Sequence, residues 1–463
     1  MVKKTLIKLK SWWRNLQNKN NFIMKFVIAL LLLGIGFRIL VSRSNDFSDD
    51  SGDPLIINDV GSSSLSPVSS DAHKKNASFK VGLSSIPPPV SSNVPKKMSH
   101  ISPTAAIEVE SEGKCNIFAG DWVPSLDGPA YTNDTCNIIE SHQNCMTNGR
   151  PDSAFLYWKW RPRDCELPQL DPGRFLESMR NKNFALIGDS ISRNHVQSLL
   201  CILSKVEQAV QIYHDEEWKS RKWIFPSYNF TVSVMWSPFL ADAAIYEDIN
   251  GVSTHEIELQ LDKLDKNWTS QYQSHDYVIF SSGKWYIKSA IYYENNTEIG
   301  CHACSNRNCT ELGFDVAYRK VLNQVFDHII ASNHKGMTFY RTSTPDHFEN
   351  GEWYNGGFCN RTQPVKEGEF DLNQLNKILH EIELDEFKKA SIKASEKGMD
   401  FKLFDVTALS LLRPDGHPGA YRFFQPFAKD KNAKIIYDCL HWCLPGPIDS
   451  WNDLLMEMVV NNH

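Results

Sequence analysis

The chain has 463 residues, enough for one large domain or two, and a 41% hydrophobic share allows a sizeable core. Its net charge of −6 hides an asymmetry: eight cations and no acid precede residue 42, while 41 basic and 55 acidic residues follow. That acidic main body argues against nucleic acid as a partner. The 13 Trp and 15 Tyr are many; exposed aromatics often line carbohydrate clefts, although core packing is their ordinary use.

Residues 1–21 read as a cytosolic tail and 22–41 as a transmembrane signal-anchor. The apolar run from Phe26 to Phe37 is free of charge, with Lys25 and Arg38 placed to snorkel at its ends. No small-residue cleavage site follows, so an uncleaved anchor is favoured over a signal peptide. Residues 42–112 are rich in Ser, Pro and Asn and read as a disordered stem. All 11 Cys follow the stem, as do six of the seven Asn-x-Ser/Thr sequons, Asn133, Asn229, Asn267, Asn295, Asn308 and Asn360; Asn76 lies within it. An oxidising lumen with mostly paired cysteines is expected, one at least being left over from an odd count.

Residues 113–166 are dense in Cys and Trp and read as a disulfide-stapled cap, in which Arg150 and Asp152 serve structure or function equally well. Residues 167–463 form the main domain. There Phe184–Ile187 is a strand candidate, Gly188-Asp189-Ser190 a turn, and Val196, Leu199, Leu200 and Leu203 recur at helical spacing. A hydroxyl between strand and helix, beside backbone N–H groups that can hold an oxyanion, makes Ser190 a candidate nucleophile. Further strands are expected at 277–280, 337–341 and 403–407, with helices over 316–330 and 371–397. This alternation predicts an α/β sheet carrying its ligands at the strand C-termini. Cys301-His302-Ala303-Cys304 with Cys309 is read as a disulfide-bearing loop rather than a metal site, since a second CxxC is missing. Near the end, Asp438 and His441 are three apart, a spacing that lets the carboxylate orient an imidazole serving Ser190; Cys439 and Cys443 are placed to tether their loop. His347 and His417 stand as rival bases.

GRPD in the cap, GDSISRNH, RTSTPDHF, RPDGHP and the terminal DCLHWCLPGPIDSWNDLL together resemble the plant trichome birefringence-like family of polysaccharide O-acetyltransferases. The resemblance runs from about Gly113 to Val460, and the anchor and stem before it also resemble that family. It implies an SGNH/GDSL-esterase-like α/β domain in the Golgi lumen, a single-pass type II membrane protein. It implies Ser190 as nucleophile, His441 as base and Asp438 as its partner, in preference to the rival histidines. Asp189, Arg193, Asn194 and Gly283, with Ser282, become candidates for oxyanion or substrate contacts. Asp415 and His417 are expected near the acceptor groove. His195 stands where many relatives have Gln and receives no catalytic role. The implied reaction needs no bound cofactor or metal. It does need an acetyl donor, acetyl-CoA or an unknown carrier, supplied in the Golgi, and a cell-wall polysaccharide acceptor. Xyloglucan is preferred, with xylan or mannan as alternatives. An acetyl esterase and a non-catalytic wall-binding protein are the competing functions.

Overall fold

The computed structural model describes residues 115–247, 253–304 and 308–460. The expected tail, membrane segment and stem lie outside the described residues, as does the sequon at Asn76. Among the described residues no helix is long and apolar enough to cross a membrane.

In chain order the strands are β1 (Gly120–Pro124), β2 (Trp158–Pro162), β3 (Asn183–Gly188), β4 (Val210–His214), β5 (Arg221–Phe225), β6 (Phe230–Trp236), β7 (Ala241–Ala244), β8 (Ile257–Leu264), β9 (Tyr277–Phe280), β10 (Ala290–Glu294), β11 (Thr297–His302), β12 (Met337–Arg341) and β13 (Phe401–Phe404). The principal helices are α1 (Pro172–Ser178), α2 (Ser190–Leu203), α3 (Phe314–Ala331), α4 (Gln374–Glu396) and α5 (Asp449–Val460). A seven-stranded sheet runs β13-β12-β9-β3-β6-β5-β4. Its strands are parallel from β13 to β6, and β5 and β4 add an antiparallel edge.

β3 lies inside this sheet and is buried on both faces, which is why Phe184–Ile187 reads as an unbroken apolar run. Phe184 and Leu186 point into one core, shared with α1, α2, α5 and the cap tryptophans Trp122 and Trp160. Ala185 and Ile187 point into the other, shared with α3, α4 and strands β7, β8 and β10. The sequence did not suggest the four-stranded sheet β11-β10-β8-β7 or the edge strand β4. Strand β4 is exposed throughout and so carries no burial pattern to read. The strand expected at 403–407 lies at Phe401–Phe404 instead. Asp405 ends it by turning its carboxylate to the N–H of Thr407, where a short helix begins. The segment 371–397 resolves into one helix, α4, whose N-cap Asn373 accepts from Asn376 N–H at 2.9 Å.

Four disulfides join Cys115–Cys165, Cys136–Cys201, Cys145–Cys443 and Cys359–Cys439. The first lies within the cap, the second and third bind the cap to the main domain, and the third and fourth hold the loop that carries His441. Cys301, Cys304 and Cys309 are free thiols, where a disulfide was expected. Among the described residues no group of three or more His, Cys, Asp or Glu is arranged to hold a metal ion.

Candidate active site

The site begins with a glycine. A Cβ on Gly188 would meet the Ser281 carbonyl oxygen at 2.3 Å and Ser192 Oγ at 2.8 Å, so only glycine lets β3 turn this close to the end of β9. Asp189 follows as the N-cap of α2, its Oδ1 accepting the Ile191 N–H at 2.9 Å. The carboxylate serves the helix end, and Asp189 is buried. Ser190 is thereby set on the first turn of α2, at the C-terminal edge of the parallel sheet and at the positive end of a 14-residue helix.

The Asp438–His441 loop arrives from the far end of the chain. His441 Nε2 and Ser190 Oγ are 2.8 Å apart, and the hydroxyl donates to the ring nitrogen when Nδ1 carries the proton. That Nδ1–H donates to Asp438 Oδ2 at 2.9 Å. Asp438 Oδ1 also accepts the backbone N–H groups of Leu440 and His441, at 3.2 and 3.0 Å. Burial by itself would raise the Asp438 pKa; the charge and hydrogen bonds of His441, with Arg422 at 3.8 Å, hold it well below the usual carboxylate range. The carboxylate is therefore charged, and it fixes both the tautomer and the orientation of the imidazole.

The other candidates fall into two groups. Arg193 lies one helical turn beyond Ser190, with its guanidinium over the Trp236 ring at 4.9 Å. Its Nε is buried without a hydrogen-bond partner, and burial lowers its pKa against the pull of Glu140. Gly283 follows β9 at a φ of +145°, and a Cβ there would lie 2.8 Å from the Ser343 Cβ. Ser282 is committed elsewhere, its Oγ donating to the Pro238 carbonyl at 2.7 Å.

Asn194, Asp415 and His417 are taken up by the framework. Asn194 is fully buried; its Oδ1 accepts the Trp442 N–H at 2.7 Å and its Nδ2 donates to the Trp442 carbonyl at 3.2 Å. It clamps the histidine loop to α2. Asp415 is buried, with Arg413 Nε and Nη2 donating to its two carboxylate oxygens at 2.8 and 3.0 Å. Arg150 donates to the carbonyls of Asp415 and His417 at 2.7 and 2.9 Å while pairing with Asp152. GRPD and RPDG are therefore the two halves of one joint between cap and main domain.

His417 Nδ1 lies 2.8 Å from the His441 carbonyl oxygen, its Nε2 lies 2.7 Å from His347 Nδ1, and His347 Nε2 lies 2.9 Å from the Leu411 carbonyl oxygen. Burial pushes His347 down to about 4, and burial with the nearby His347 pushes His417 down to about 3. Neither ring is hydrogen-bonded to Ser190. They support the histidine loop from behind. His195 is buried at the edge of the Trp451 ring, 5.4 Å between centroids.

Two groups near the site gave no signal in the sequence. Arg341 is buried beneath the elbow, where Nη2 donates to Ser281 Oγ at 2.8 Å, and burial lowers its pKa to about 10, so it stays charged. His142, from the cap, faces His441 with ring centroids 6.2 Å apart. The pairing of Cys145 with Cys443 brings it there, and spacing along the chain cannot reveal that pairing.

A serine at a strand–helix elbow, with histidine and aspartate delivered by a C-terminal loop, defines the class of SGNH-like acyl-ester proteins. Residues 167–458 match the GDSL/SGNH-like acyl-esterase family found in Pmr5 and Cas1p, and residues 113–166 match the PMR5 N-terminal domain. The chain belongs to the trichome birefringence-like family of polysaccharide O-acetyltransferases. It is 50% identical to Protein trichome birefringence-like 24 of Arabidopsis thaliana over 459 residues, covering 98% of this chain and 100% of that protein. It is 41% identical to Xyloglucan O-acetyltransferase 1 of the same plant over 352 residues, covering 76% and 82%. With Xyloglucan O-acetyltransferase 1 of Populus trichocarpa the identity is 40% over 357 residues, with the same coverage.

Proposed function

We propose that this chain acetylates a cell-wall polysaccharide, with xyloglucan as its acceptor, through an acetyl-Ser190 intermediate. The observation that carries the reading is the unbroken hydrogen-bonded chain from Asp438 through His441 to Ser190. In the first half-reaction Ser190 Oγ bonds to the acetyl carbon of the donor as its proton passes to His441 Nε2. The bond from that carbon to the leaving group breaks, and the leaving group takes up the proton. In the second half-reaction a sugar hydroxyl gives its proton to His441, its oxygen bonds to the acetyl carbon, and Ser190 Oγ leaves and regains the proton. The α2 N-terminus, with Arg193 beside it, favours the negative charge of each tetrahedral intermediate. The donor is acetyl-CoA or a carrier charged from it.

The acceptor assignment takes its support from the two xyloglucan O-acetyltransferases among the relatives. We place the protein in the Golgi membrane with a cytosolic N-terminus, from the cations before the apolar segment. Asn229, Asn267, Asn295, Asn308 and Asn360 are exposed in the fold and Asn133 half-exposed, as lumenal glycosylation requires.

The test is to incubate the full-length chain with acetyl-CoA or p-nitrophenyl acetate and with xyloglucan, xylan and mannan oligosaccharides in parallel, reading products and the Ser190 peptide by mass. Acetylated xyloglucan and an acetylated Ser190 peptide are expected. Xylan or mannan products would replace the acceptor. Donor hydrolysis at one rate with and without sugar would make the protein an esterase, and sugar binding without turnover would make it a wall-binding protein. Full transfer by Ser190→Ala would overturn the mechanism.

A further inference from the structure

The cap contributes a side chain to the edge of the triad that the acyl-transfer steps above do not use. Residues 140–143 are held against the site at both ends. The Glu140 N–H donates to Gln197 Oε1 on α2 at 2.8 Å, and the Leu444 N–H donates to the Gln143 carbonyl at 2.9 Å. The Cys145–Cys443 disulfide closes the same junction. Between these ties the His142 ring stands nearly perpendicular to that of His441, at 82°.

His142 Nε2 lies 3.4 Å from Glu140 Oε2, and Glu140 Oε1 in turn accepts from Arg221 Nη2 at 2.5 Å. No hydrogen bond joins the two, but a carboxylate held by an arginine on the Nε2 side of the ring electrostatically favours the tautomer with the proton on Nε2. That leaves Nδ1 as a lone-pair acceptor, with no hydrogen-bond partner among the described residues. The side chain is 35% exposed, more than the 20% of His441, so the ring is reachable from solvent. Burial first and the nearby His441 second lower its pKa to about 4, against the opposing pull of Glu140 and Asp438. The ring is thus neutral at neutral pH and can accept a hydrogen bond without competing for the proton that His441 must take.

Sugar acceptors present hydroxyls in neighbouring pairs. The triad accounts for the one that attacks, and a second acceptor atom beside His441 suits its neighbour. We propose that His142 is an acceptor-binding and specificity-determining residue: its Nδ1 accepts the O–H of the sugar hydroxyl next to the one being acetylated, and this contact presents the attacking oxygen to acetyl-Ser190. Glu140 and Arg221 act through His142 as positioning residues. The inference rests on the acetyltransferase reading; His142 itself neither gains nor loses a proton in the reaction.

The half-reactions separate this role from a structural one. The full-length chain is acetylated with p-nitrophenyl acetate, and formation of acetyl-Ser190 and its discharge by xyloglucan, xylan or mannan oligosaccharide are timed separately by mass. In His142→Ala, discharge to sugar should fall about tenfold more than formation does, the size expected for one lost hydrogen bond. His142→Gln, which keeps an acceptor atom, should recover part of the loss. A deoxy acceptor lacking the neighbouring hydroxyl should be discriminated against by the wild type and not by His142→Ala. Acetyl-Ser190 formation also certifies that each variant is folded. Equal loss in both steps would overturn the inference, as would a variant that still discriminates against the deoxy sugar. A wild type that never forms acetyl-Ser190 would remove the function and the inference together. One that forms it, with His142→Ala losing nothing toward sugar, would remove the inference alone.

Discussion

Asp438 and Asp415 show how differently two buried carboxylates are used. Asp438 orients the His441 imidazole, so Asp438→Asn should keep the geometry and spoil the tautomer. The expected loss in kcat is on the order of 10⁴-fold, measured as acetyl transfer to oligosaccharide. Asp415 is spent on Arg413, and both side chains are fully buried. Asp415→Ala would leave an uncompensated guanidinium under the cap and should cost about 3–5 kcal/mol in denaturant unfolding. If Asp415→Ala melted like the wild type and lost only sugar binding, the acceptor-groove position expected from sequence would be restored.

Helix α5 carries two half-buried acids on one face, Asp449 and Asp453. Asp449 accepts from Tyr131 OH at 2.8 Å, Ser198 Oγ at 2.5 Å and Gly446 N–H at 2.9 Å; Asp453 accepts the Leu170 N–H at 2.8 Å. Burial raises both, to about 6 and about 7. In the unfolded chain such groups lose their protons near pH 4, at about 3.9. Between these values the folded state binds more protons than the unfolded one, so the stabilisation present below about pH 4 is lost as pH rises through 6 to 7. Asp438 has the opposite sign: its depressed value stabilises the fold above the unfolded pKa, and that contribution is lost only as pH falls further into acid. Melting temperature should therefore decline from pH 5 to pH 8, and Asp453→Asn should shrink that decline while keeping an acceptor oxygen for Leu170. An unchanged pH profile in Asp453→Asn would show that the titrating group lies elsewhere.

At the scale of the whole molecule, the disulfides bring the cap to the candidate active site. Cys145–Cys443 spans 298 residues and fixes the His441 loop to the segment that carries His142. The membrane topology is tested at the same scale. In sealed microsomes protease should trim only the N-terminal tail and leave the main domain intact until detergent is added. Digestion of the main domain without detergent would reverse the orientation.

The sequence by itself determined what local chemistry can write. The apolar run of β3, the Gly-Asp-Ser turn and the period of α2 announce a strand–elbow–helix, because each signal lies within about 20 residues. The strands at 277–280 and 337–341 were legible at their observed limits, being buried on both faces. Asp438 and His441 were legible as a pair because they are three residues apart. Strand β8 alternates its apolar residues, but its partners β7, β10 and β11 are short or half-exposed, so the second sheet had no comparable signature. The tertiary structure alone decided which residues meet across long separations. It brought Ser190 to His441 over 251 residues and Arg150 to the carbonyls of Asp415 and His417. It set His142 beside the His441 imidazole, and it turned Asn194 and His417 inward to hold the loop. Each of these depends on disulfide pairing and on which face of an element is buried, and both are settled only when the two cores close.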